Sequence, residues 1–117
     1  MMWHTITNLK QSVSEISANV EIDPDSHWFS GHFPGEPILP GIAQLGIVFE
    51  AIEQSRRQKL VVSGLSRVRF KQIIRPDDPL KIVIAPVEKT LGSYSFSITV
   101  DEELACSGTM MVHEQDR

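Results

Sequence analysis

The chain is short of cysteine, of long apolar runs and of positive charge, and each shortage excludes something. Cys106 is the single cysteine in 117 residues, so no intrachain disulfide can form and a reducing, cytoplasmic setting is expected. No apolar run approaches the roughly 20 residues that a bilayer-spanning helix needs. The opening MMWHTITNLK lacks the charged-then-apolar layout of a secretory signal, and no membrane partner is expected. Lys and Arg number 11 against 15 Asp and Glu, a formal charge of −4, which argues against nucleic acid as the main partner. Repeats, low-complexity segments and linkers are absent as well. What is there, 41% hydrophobic and 22% charged residues, is the make-up of an ordinary globular protein. Its length suits a single domain over residues 1–117.

Periodicity divides the chain. ISANVEI alternates apolar residues at Ile16, Ala18, Val20 and Ile22, as a half-buried strand does, and DPDS then breaks it. From Pro40 the spacing turns helical through Ile42, Leu45, Phe49 and Ile52, with Pro40 and Gly41 where a helix would begin and polar residues 53–59 closing it. Later strands are expected at residues 65–74, at Leu80, Ile82 and Ile84, at Tyr94, Phe96, Ile98 and Val100, and over residues 104–113. A turn at PDDP and a tight DEE turn separate some of them. The helix is apolar on most sides, so an antiparallel sheet should curl around it: the fold class is α+β.

One stretch, GHFPGEPILPG at residues 31–41, surrounds His32 with prolines and glycines. It resembles the His-Phe-Pro-Gly…Pro-Gly signature of the hot-dog-fold 3-hydroxyacyl-acyl-carrier-protein dehydratases of type II fatty-acid synthesis. RVRFKQIIRPDDPLKI, residues 67–82, is similar to that family's next strand, Arg/Pro turn and strand, and ELACSGTMMV, residues 103–112, to its closing strand. The resemblance implies a hot-dog fold and elimination of water from a 3-hydroxyacyl thioester without a cofactor or metal. It also implies carrier-protein-linked substrates ahead of coenzyme A ones, and a dimer, or oligomer of dimers, whose sites combine two protomers. A hetero-oligomer would satisfy the same rule.

That elimination needs a base for the proton beside the carbonyl, an acid for the departing hydroxyl, and a donor to the carbonyl oxygen. By resemblance His32 is the base, and imidazole titrates near neutrality without help. Gly41 is placed to polarise the carbonyl through its N–H at the helix start, and Phe33, Pro40 and Gln44 are candidate substrate contacts. The family's acidic residue falls fourteen positions beyond the histidine, and here that position is Gly46. A mid-helix glycine costs about 1 kcal/mol against alanine, so a packing or space requirement is expected at Gly46. Glu50, one turn further and able to lean back over Gly46, is the candidate replacement acid.

Other readings stay open at this level. A hot-dog thioesterase relaxes the demand for a carboxylate at Gly46, and a non-catalytic acyl-thioester-binding subunit removes it. Arg67, Arg69 and Lys71 share one side of a strand by alternation and, with Arg75, suit an acidic carrier or a phosphate as readily as solvent. Asp23, Asp25, His27 and His32 match no metal-ligand spacing, and Cys106 has no basic neighbour in sequence that would make it a nucleophile.

Overall fold

The computed structural model describes residues 4–23, 25 and 38–115. Six strands and one helix follow in the order β1 (His4–Gln11), β2 (Ile16–Ile22), α1 (Gly41–Arg56), β3 (Leu60–Phe70), β4 (Leu80–Pro86), β5 (Ser93–Val100) and β6 (Glu103–Glu114). The strands form a single antiparallel sheet in the spatial order β1-β2-β4-β5-β6-β3. The sheet curves over α1, which is the hot-dog architecture.

Alternation builds the core. Ile16, Ala18, Val20 and Ile22 of β2 and Leu80, Ile82 and Ile84 of β4 are buried, together with Phe96, Ile98 and Val100 of β5. Against them α1 lays Ala43, Gln44, Ile47, Val48, Ala51 and Ile52, one continuous helical face. Its opposite face is only partly covered: Ile42 is 75% exposed, and Leu45 and Phe49 are half-buried. Within one chain the sheet therefore wraps one side of the helix, not most of its circumference, and the second apolar stripe faces outward.

Two strands differ from the sequence expectation. β1 was not anticipated, because its apolar residues Ile6 and Leu9 both pack against the core yet stand three apart. A bulge between Thr7 and Lys10, with Asn8 at φ 54°, breaks the period of two. β3 starts at Leu60 and ends at Phe70, earlier than residues 65–74. It lies at the sheet edge, pairs only with β6 and is shifted twice by irregularities, so Val61, Val62 and Leu65 are exposed and no alternation reveals it. The helix stops at Arg56 because Arg57 turns left-handed at φ 55° and donates its N–H to the Glu53 carbonyl at 2.8 Å.

Cys106 is fully buried in β6, and burial pushes its thiol up to about 11 from 9.0. The folded chain holds that proton where the unfolded chain releases it. The contribution of Cys106 to stability is therefore constant below pH 9.0 and falls as pH rises from 9.0 towards about 11. Denaturant titrations across this window are expected to show a decline that Cys106→Ala reduces.

Candidate active site

The start of α1 is built as an open donor. Pro40 occupies the cap position at φ −62° and ψ 152°, supplies no side-chain cap, and is followed by a first turn without an acidic residue. Its carbonyl takes the N–H groups of Ala43 at 3.1 Å and Gln44 at 3.2 Å. The Gly41 and Ile42 N–H groups have no acceptor among the described residues, and they sit at the positive end of the helix dipole. This end is anchored from two sides. Leu39 donates its N–H to the Ile74 carbonyl at 2.8 Å. Its own carbonyl accepts Nε2 of buried Gln44 at 3.2 Å. Gln44 thus braces the turn, while its Oε1 is buried without a partner among the described residues.

Phe70, at the end of β3, lies across Gly41. A Cβ at residue 41 would stand 2.7 Å from Phe70 Cζ, inside contact distance. Glycine here lets an aromatic ring, itself 52% exposed, approach the helix start. Sequence reasoning missed Phe70; its only signal was an aromatic residue between Arg69 and Lys71.

Gly46 is exposed, and a Cβ there would meet nothing within 4 Å among the described residues. The packing requirement expected at this position is therefore not found among them. Nor does the Glu50 side chain lean back over Gly46, since none of its atoms lies within 4 Å of that Cβ position. Its Oε2 instead meets Nε2 of His4, from the start of β1. Glu53, the next acid on the helix, is occupied: its Oε2 accepts the Leu60 N–H at 3.0 Å. No sequence motif marks His4. It is brought to the helix by the strand that periodicity did not reveal.

The expected base and its neighbour, His32 and Phe33, lie outside the described residues, as does His27. No group of three or more His, Cys, Asp or Glu side chains that could hold a metal occurs among the described residues. Arg67, Arg69 and Lys71 do gather, lining an open groove of roughly 470 Å³ with Ser95, Ser107 and Thr109. Arg75 does not line this groove, and its backbone N–H donates to Asp78 Oδ2 at 2.7 Å. No helix among the described residues is long and apolar enough to cross a membrane.

The chain is similar to several known proteins. The 3-hydroxyacyl-acyl-carrier-protein dehydratase FabZ of Haemophilus influenzae is 34% identical over 93 residues, 71% of this chain and 63% of the relative. FabZ of Chloroflexus aggregans is 30% identical over 115 residues, 91% of this chain and 79% of the relative. The match thus spans less than two thirds of the first relative's length and over three quarters of the second's.

Among solved structures, the dehydratase heterocomplex ApeI:P from Xenorhabdus doucetiae superposes with a TM-score of 0.83 at 27% identity, covering 95% of this chain and 98% of that one. A hypothetical thioesterase from Streptococcus pneumoniae, solved with coenzyme A, shares the fold alone, at a TM-score of 0.66 and 16% identity over 97% of this chain and 88% of that one. The family model for ApeI-like proteins, described as ApeI dehydratase, matches residues 8–109, nearly the whole sheet and the helix. The chain belongs to the ApeI-like dehydratase family.

Proposed function

We propose that the protein removes water from 3-hydroxyacyl thioesters carried on an acyl carrier protein, giving trans-2-enoyl thioesters in fatty-acid or related lipid synthesis. The observation that carries this reading is the uncapped start of α1, where the Gly41 N–H is unpaired among the described residues and Phe70 closes over it. A thioester oxygen accepting that N–H gains a donor fixed in place before the reaction begins. His32 takes the proton from C2. The electron pair left behind is held as an enolate on the thioester oxygen at the Gly41 N–H; it then forms the C2–C3 double bond as the C3–O bond breaks, and the Glu50 carboxyl gives its proton to the departing hydroxyl. Water leaves, and solvent returns a proton from His32 to Glu50.

Surface features support assembly into a dimer. β3 is an edge strand with exposed Val61, Val62 and Leu65, and α1 turns Ile42, Leu45 and Phe49 outward. Pairing two copies through these features would close the edge and cover the apolar stripe. Arg67, Arg69 and Lys71 suit an acidic carrier, in a chain whose formal net charge is −4. A cytoplasmic location accords with the lone, buried Cys106.

The test is hydration of trans-2-enoyl and dehydration of 3-hydroxyacyl carrier-protein thioesters at several chain lengths. Turnover by the wild type, lowered about 10²-fold or more by Glu50→Gln, supports the reading. A wild type that hydrolyses the thioester, or leaves every chain length untouched, overturns it.

A further inference from the structure

We infer that His4 is a positioning residue for the acid of this reaction; the inference rests on the dehydratase reading above, with Glu50 as that acid. Nε2 of His4 meets Oε2 of Glu50, joining the first residue of β1 to the helix. The two side chains are partly screened, 18% and 33% exposed. The ring's other nitrogen, Nδ1, is buried and unpartnered among the described residues. A histidine that merely stitches two elements together ordinarily satisfies both nitrogens; this one makes its single described polar contact to a carboxyl group.

That contact has a chemical consequence. With Nε2–H donating to Oε2, the carboxyl proton belongs on Oε1, the oxygen away from His4. Oε1 has no hydrogen-bond partner among the described residues. Once Oε1 has given its proton to the leaving hydroxyl, the Nε2–H continues to stabilise the carboxylate left behind. An unheld glutamate on this half-exposed helix face would sample several rotamers instead of presenting one oxygen.

The experiment compares His4→Ala and His4→Gln with wild type in kcat, KM and thermal midpoint on a 3-hydroxyacyl carrier-protein thioester. His4→Ala is expected to lower kcat about 10²-fold, the cost of a small misplacement of a reacting group, with KM changed less than about twofold. Glutamine, whose amide N–H can still donate to Oε2, is expected to restore most of that loss. Wild-type kcat in His4→Ala overturns the inference while leaving the dehydratase reading intact. So does a loss that follows the thermal midpoint and that glutamine does not recover, because the pair is then a structural tie. An inert wild type overturns the dehydratase reading itself, and the inference falls with it.

Discussion

Gly46→Glu is expected to raise kcat for dehydration about tenfold or more, with no loss of stability. Distance favours the change. Along an α-helix residue 46 stands about 7.5 Å beyond Gly41 and residue 50 about 13.5 Å. The carbonyl and hydroxyl oxygens of a 3-hydroxyacyl thioester are only a few ångströms apart. With the carbonyl on the Gly41 N–H, a carboxyl at 46 meets the hydroxyl easily, whereas Glu50 must extend most of its length and also keep its contact with His4. Proton transfer tolerates a donor–acceptor separation of about 3 Å and little more, so moving the acid back by one turn shortens the hardest gap in the site.

Space does not oppose the change, since a Cβ at residue 46 meets nothing within 4 Å among the described residues. Glutamate in place of a mid-helix glycine gains about 0.5–1 kcal/mol of helix propensity, offset by about 0.2–0.5 kcal/mol of repulsion from Glu50 one turn on. The thermal midpoint should therefore hold or rise slightly, and kcat reports the chemistry alone. An unchanged kcat in a well-folded Gly46→Glu protein would mean that the acid at Glu50 does not limit the reaction.

Gly46 also shows how far a sequence can be read. Its place in the helix and the missing carboxylate were legible, because the His32-to-Gly41 motif sets a register that counting extends. The reason for the glycine was not legible: exposure and empty space are properties of packing, and the expected constraint is not found among the described residues. β2, β4 and β5 were legible for the opposite reason, since buried residues alternate along each and the pattern is the packing; β6 was legible from the tight turn that precedes it. β1 and β3 are the outer strands, where bulges at Asn8 and Arg67 shift the alternation and each strand has a single neighbour in the sheet. The most informative contact in the site, His4 to Glu50, joins residues 46 positions apart through one of those strands. Nothing local in the sequence encodes it.

Replacing His32 with alanine is expected to lower kcat about 10²–10⁴-fold, the usual cost of a lost general base or acid, and to leave the thermal midpoint within a few degrees. The chain has four histidines, and their settings separate them. His4 is committed to Glu50. His113 is exposed near the end of β6, where Nδ1–H donates to the Glu114 carbonyl at 3.0 Å. His27 belongs to no motif, whereas His32 precedes by nine positions the glycine that opens the helix.

Base and acid can also be told apart by exchange. Removing the C2 proton needs only the base and the Gly41 N–H, so substrate incubated in deuterated water should acquire deuterium at C2 whenever the base is intact. Glu50→Gln is expected to keep that exchange while product formation falls, because the C2 proton still leaves although the hydroxyl cannot. His32→Ala should lose exchange and product together. Retained exchange in His32→Ala would move the base to another residue, and the motif around His32 would then be scaffold only.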